Sequence, residues 1–185
     1  MPYTVTPTDL PDVLMLQPKV LGDARGFFVE SFNAREFANA TGLEVEFVQD
    51  NHTMSSQGVL RGLHYQIHHA QGKLVRVVGG EVFDVAVDLR KSSANFGRWT
   101  GRILSEKNAL QIWIPPGFAH GFLSLSESAE FLYKTTDYWY PEHERSLLWN
   151  DPDLGIKWPL PAGFQEPTMA AKDMAAMKLS MAETF

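Results

Sequence analysis

Cysteine is missing from all 185 residues. Disulfides, thiolate metal centres and cysteine nucleophiles are therefore excluded, and the composition suits a reducing compartment such as the cytoplasm. No apolar stretch approaches the ~18 residues that cross a bilayer, so no membrane partner is expected. The opening MPYTVTPTDLPDVLML lacks a basic segment followed by a long apolar run, which predicts no secretory leader. Positive charge is not in excess either: 16 Lys and Arg against 22 Asp and Glu leave a net charge of −6. That balance argues against nucleic acid as a partner, although a local cationic patch can still hold a phosphate. Charged residues amount to 21%, too few for a disordered chain, while 44% hydrophobic and 12% aromatic residues suit a packed core. Also absent are strand–helix–strand alternation, a glycine-rich phosphate loop ahead of a helix, and any long repeat.

What remains is a series of short strand signals. With 14 Gly and 11 Pro, and turn signals at intervals of about ten residues, the pattern predicts an all-β sandwich or barrel. From residue 13, VLMLQPKVLGDARGFFVESF predicts two short strands joined by the turn LGDARG at 21–26. Arg25 leaves that turn and Glu30 lies on the strand beyond it. Asn33 followed by Glu36 three positions later fits a helix start, with Phe37 facing the core and Gly42 ending about two turns. Residues 44–48 resume an extended pattern. The polar cluster Gln49, Asp50, Asn51, His52 and Thr53 then reads, on composition, as a loop bonding its own backbone; amides lining a pocket are the alternative. The clearest strand follows, where Phe83, Val85, Val87 and Leu89 alternate with Asp84, Ala86, Asp88 and Arg90 as on a half-buried strand. Further strands are expected at 99–104, 110–114 and 131–140, with Pro115-Pro116-Gly117 as a stop. Residues 169–181, rich in Ala, Met and Lys, predict a helical C-terminal appendage.

The chemistry concentrates in residues 58–73, GVLRGLHYQIHHAQGK, which bring Arg61, His64 and Lys73 into one strand-turn-strand segment. A guanidinium clamps phosphate, a neutral imidazole acts as a base near pH 7, and an ammonium stabilises an oxyanion. These residues alone fit an anionic substrate with proton transfer and an exposed hairpin about equally. In FLYKTTDYWY, period-two geometry puts Phe131, Tyr133, Thr135, Asp137 and Trp139 on one face. A phenol can then donate a proton at one end while an indole stacks on a planar base at the other. Packing in the core is the commoner fate of such aromatics. Metal-binding small β-barrels carry the ligand pattern His-x-His followed by an acid, then a second His after a Pro-x-Gly turn. Pro115-x-Gly117-x-x-His120 fits the second half, but His64-Tyr65-Gln66 fails the first and Lys73 stands near the expected acid. His68 and His69, adjacent on a strand, would point to opposite faces. Too few ligands remain, so no metal is expected.

Together the motifs resemble the dTDP-4-dehydrorhamnose 3,5-epimerase family, whose members are deoxysugar-nucleotide epimerases with a cupin jelly-roll fold. The similarity runs from Asp23 to about Asp173. It is carried by DARGFFVE at 23–30, QDN at 49–51, VLRGLHYQ at 59–66, QGKLV at 71–75 and EVFDVAVDLR at 81–90. GFAHGF at 117–122, Tyr133-Lys134 and WNDP at 149–152 continue it. The resemblance implies one cupin-like domain over residues 1–185, with a β core over about 13–158 and an appendage over about 159–185. It implies His64 as proton acceptor, Tyr133 as proton donor, Asp173 as the carboxylate paired with His64, and Lys73 beside the enolate oxygen. Arg25, Glu30, Gln49, Asp50, Asn51, Arg61, Lys73, His120, Glu144 and Lys172 match positions that hold the sugar nucleotide. Trp139 matches the thymine-stacking aromatic, where the family usually has Tyr. The implied reaction inverts C3 and C5 of a dTDP-4-keto-6-deoxy sugar and needs no cofactor, because the ketone is already present. A mono-epimerase, a ketoisomerase and a non-catalytic sugar-nucleotide-binding cupin are the rivals. The resemblance also implies a homodimer, in which an N-terminal strand pairing with the partner's sheet would protect an open edge.

Overall fold

The structure, a computed structural model, describes residues 2–185. Its strands form two antiparallel sheets. One has the order β1 (Thr4–Pro7), β2 (Leu14–Gln17), β10 (Gln111–Ile114), β7 (Lys73–Gly79), β12 (Ser128–Thr135) and β5 (Gln49–Ser56). The other has the order β13 (Glu144–Ser146), β6 (Leu60–Gln66), β11 (Phe118–Ser124), β8 (Glu81–Asp88) and β9 (Trp99–Ser105). Successive strands repeatedly change sheet, the jelly-roll arrangement expected of a cupin. A separate hairpin pairs β3 (Val20–Asp23) with β4 (Gly26–Val29). The N-terminal strand β1 pairs with β2 of its own sheet and forms that sheet's edge.

Three apolar clusters fix the layers. Between the sheets, Val75, Ile112 and Phe131 meet Val82, Ala86, Leu104 and Phe122 and fill one end of the barrel. Outside the six-stranded sheet, Leu16, Leu74 and Trp113 are covered by helix α1 (Ala34–Thr41). That helix forms as its sequence predicts: the Asn33 side chain accepts from the Glu36 N–H, and Gly42 closes it at φ 73°. Its Phe37 is buried and stands edge-on to Phe47 and Trp113, with ring centroids 5.6 and 5.7 Å away. Burying such a ring contributes roughly 1.5–3 kcal/mol. Outside the five-stranded sheet, Val85, Val87 and Leu89 are covered by Leu154, Ile156, Leu179 and Phe185 from the C-terminal segment.

That cover corrects the expectation of a half-buried strand. Both faces of β8 are buried, and Asp84 and Asp88 face away from solvent. The predicted C-terminal helix is also corrected. Only α2 (Ala171–Met174) and a 3-10 turn at Leu179–Met181 are helical. The rest lies along the barrel, where Met177 bonds through its backbone to Ser146 and Leu148, and the Leu179 N–H donates to Asp151. Helix propensity is a weak preference that these tertiary bonds override. Three smaller corrections follow. Residues 44–48 form no strand; the polar cluster from Gln49 does. The stretch from residue 13 holds three short strands, not two, and β12 stops at Thr135 instead of running on to 140.

Strands β6 and β11 touch at their glycines. A Cβ on Gly121 would stand 2.6 Å from the Arg61 carbonyl oxygen, and one on Gly62 would stand 2.6 Å from the Gly121 Cα. Gly121→Ala must push these strands apart, and overpacking of this kind costs about 1–3 kcal/mol. A thermal unfolding scan of that variant is expected to show a midpoint several degrees lower, at about 2–4 °C per kcal/mol for a chain of this size.

Candidate active site

The site begins with an irregularity in β6. Its pairing with β11 matches His120 to His64 and Phe122 to Arg61, so β6 spends three residues where β11 spends two. Strict alternation would send Arg61 and His64 to opposite faces. The bulge puts both side chains into the barrel, a common use of bulges beside functional sites. It also turns the Gly62 N–H toward Asp173, 3.4 Å from Oδ2.

Arg61 and His64 open onto a chamber of about 430 Å³, which adjoins a second of about 200 Å³. His64, Lys73, Tyr133 and Glu144 line both. The five-stranded sheet supplies Arg61, His64, His120 and Glu144, and the six-stranded sheet supplies Lys73, Tyr133, Gln49 and Asn51. The imidazole of His64 and the phenol of Tyr133 thus stand on facing walls of one cavity.

Four ionisable groups of the site, Asp173, Lys73, His120 and Tyr133, are shifted by their surroundings. His64 Nε2 lies 2.6 Å from Asp173 Oδ1. A carboxylate only accepts, so Nε2 carries the hydrogen and Nδ1 keeps its lone pair. Burial alone would raise the Asp173 carboxyl. The hydrogen bond and charge of His64, with the Gly62 N–H, outweigh it and hold the group below its ordinary range. Lys73 is buried, which pulls its ammonium down to about 8 against the opposing pull of Asp84 and Glu144. Burial also lowers His120, partly offset by Asp84. The phenol of Tyr133 is raised, first by burial and then by Glu144, with Arg61 opposing.

The structure gathers most of the expected site residues and leaves three apart. Lys172, on α2 at the chamber wall, bonds Glu144 Oε2 at 2.9 Å. Trp139 sits at the mouth of the smaller chamber with Gln49 and Asn51. It arrives there through the turn after β12, not by strand alternation. Asp50 alternates outward on β5 and pairs with Lys134 at 2.9 Å, so its side chain faces the other way. Arg25 and Glu30 border neither chamber. Sequence reading missed Asp84, whose Oδ2 lies 2.8 Å from His120 Nε2 while its buried Oδ1 has no hydrogen-bond partner among the described residues. The signal for it was a carboxylate inside the apolar run FDVAVD. Among the described residues no three His, Asp or Glu side chains converge as a metal would need.

The chain matches the model of the family described as dTDP-4-dehydrorhamnose 3,5-epimerase over residues 7–181. It belongs to that family. A dTDP-4-dehydrorhamnose 3,5-epimerase from Pseudomonas aeruginosa is 59% identical over 176 residues, covering 95% of this chain and 96% of the relative. The crystal structure of the Legionella pneumophila dTDP-6-deoxy-D-glucose-3,5-epimerase, in complex with dTDP-4-keto-L-rhamnose, superposes with a TM-score of 0.94 at 49% identity, covering 98% and 95% of the two chains. A 3′-monoepimerase from Streptomyces bikiniensis, in complex with dTDP-quinovose, gives a TM-score of 0.87 at 32% identity, covering 94% and 87%. The chain is accordingly an isomerase, an epimerase of dTDP-rhamnose biosynthesis built on the cupin fold. None of its helices is long and apolar enough to cross a membrane among the described residues.

Epimerase activity that uses the Lys73 ammonium must fall as the pH rises through about 8, because the group is charged below that value and neutral above it. The pH profile of kcat/KM is expected to show that alkaline limb. Lys73→Arg, which keeps its charge, should lose rate and carry the limb to higher pH.

Proposed function

We propose that the enzyme inverts both C3 and C5 of dTDP-4-dehydro-6-deoxy-D-glucose, giving dTDP-4-dehydro-L-rhamnose by proton transfer through an enolate. The observation that carries this reading is the pair of facing walls, with an imidazole–carboxylate pair on one and a half-buried phenol on the other. A proton next to a ketone is acidic because its electron pair can move onto the carbonyl oxygen. His64 Nδ1 takes that proton, and Asp173 stabilises the imidazolium that results. The carbonyl oxygen, now an enolate, lies against the Lys73 ammonium. Tyr133, kept protonated by burial, returns a proton to the opposite face of the same carbon, and solvent restores the phenol. Bond made and bond broken are both C–H, so no electron leaves the substrate and no cofactor takes part.

Binding follows from the charges around the chamber. Arg61, His120 and Lys172 offer donors to the diphosphate, and Gln49, Asn51 and Trp139 meet the nucleoside at the smaller chamber. Asp84 holds the His120 ring in place. Arg25 and Glu30 take part in this reading only through a homodimer, with the partner's hairpin reaching the site. Support comes from that hairpin, on which Phe27 is 74% exposed and Phe28 64%. Two strands with such a face are not stable in water by themselves.

Inversion at a single carbon is the second reading, favoured by the likeness to the 3′-monoepimerase at 32% identity. The 59% identity with a relative named for both centres supports the first. A cupin that only bound the sugar nucleotide would not need His64, Tyr133 and Lys73 together. Turnover in D₂O separates all three: proton NMR of the product is expected to show deuterium at C3 and C5. Deuterium at one carbon would establish the mono-epimerase, and at neither a binding protein. His64→Ala is expected to lose more than ~10² in kcat, the usual contribution of a positioned base.

A further inference from the structure

Trp139 raises a question of support. Its side chain is 56% exposed at the cavity mouth, so packing around the ring does not fix its direction. Strand pairing does not either, because β12 ends four residues earlier at Thr135. Four backbone groups from Asp137 to Tyr140 are nevertheless bonded by side-chain amides. The Gln66 Nε2 donates to the Tyr138 carbonyl at 3.1 Å, and its Oε1 accepts from the Tyr140 N–H at 2.7 Å. These are the carbonyl before Trp139 and the N–H after it, the two groups an antiparallel neighbour would engage. The second Nε2 hydrogen goes to the His69 carbonyl at 2.7 Å. Gln71 Nε2 donates to the Asp137 carbonyl at 2.9 Å, and the Trp139 N–H itself reaches Gln49 Oε1 at 3.2 Å.

We infer that Gln66, with Gln71, is a positioning residue that stands in for a missing strand and aims the Trp139 ring before the nucleotide arrives. This rests on the reading of Trp139 as the platform for the base. Gln66 is 4% exposed and uses both donors and its acceptor on this loop and its neighbour. Removing it frees the Tyr138 carbonyl and the Tyr140 N–H on either side of Trp139 while leaving His64, Tyr133 and Lys73 on their strands. The loss should therefore fall on base recognition and spare the chemical step, since ordering a platform on binding weakens affinity.

The test is a double-mutant cycle of Gln66→Leu and Trp139→Ala, read as calorimetric affinity for dTDP and for inorganic pyrophosphate, which has no base. Each single variant is expected to bind dTDP about ten-fold more weakly, with pyrophosphate affinity unchanged. The double variant should bind dTDP no more weakly than Trp139→Ala, because both changes remove the same contact. In turnover, Gln66→Leu should raise KM and keep kcat within about two-fold of the parent. Losses that multiply in the double variant, a fall in pyrophosphate affinity, or unchanged dTDP binding by Gln66→Leu while Trp139→Ala weakens it would overturn this inference alone. Unchanged dTDP binding by Trp139→Ala would overturn the stacking reading and this inference with it. Should Gln66→Leu fail to fold, Gln71→Leu removes one bond and must show the same pattern more weakly; parental behaviour from it counts against the inference.

Discussion

The hydrogen bond between His64 and Asp173, 2.6 Å long, is the contact on which the site depends. It joins a strand in the middle of the barrel to a short helix near the C-terminus, 109 residues later. The carboxylate decides which imidazole nitrogen keeps its lone pair, and so which atom could serve as the base in the mechanism we propose. It can do this only because the C-terminal segment stays off the helical path its composition favours. The bonds of Met177 and Leu179 to the 146–151 region hold that segment along the barrel. The β6 bulge answers from the other side by turning the Gly62 N–H toward the same carboxylate.

The two sheets divide the work. A cupin barrel packed at one end by Val75, Ile112 and Phe131 leaves a cavity at the other, with a separate wall from each sheet. His64 and Tyr133 stand on different walls, and the mechanism we propose needs that separation to remove a proton from one face of a ring and return it to the other. Burial sets the charge states: it draws the Lys73 ammonium down toward neutrality and keeps the Tyr133 phenol protonated. The same sheet geometry leaves Asp50 on the outer surface, paired with Lys134.

Much of this was legible in the chain. The caps of α1 declared themselves through Asn33, Glu36 and Gly42, since capping is local. The alternation of β8 was correct as a period and wrong as to burial. Period two reports which residues share a face, whereas the cover on the second face comes from residues 154–185. The helical reading of 169–181 failed for a related reason, because propensity carries no information about a surface waiting to bind the backbone. Gln49 and Asn51 read as loop residues, since polar side chains facing a wet cavity resemble polar side chains facing solvent. Strand alternation put Trp139 on the Tyr133 face, and its place at the cavity depends on a turn that no alternation describes. Asp84 went unremarked because its partner, His120, is brought beside it only by the pairing of β8 with β11.

The claim at the centre is that His64 and Tyr133 act from opposite faces of the sugar ring. Turnover of Tyr133→Phe in D₂O tests it most directly, with exchange of the ring protons and formation of the inverted sugar followed in the same NMR experiment. Removing the acid should leave the base free to take a proton and return a deuteron on its own face. The account predicts exchange at C3 and C5 with inversion reduced by more than ~10². Exchange and inversion lost in equal measure, or inversion retained at the parental rate, would contradict it.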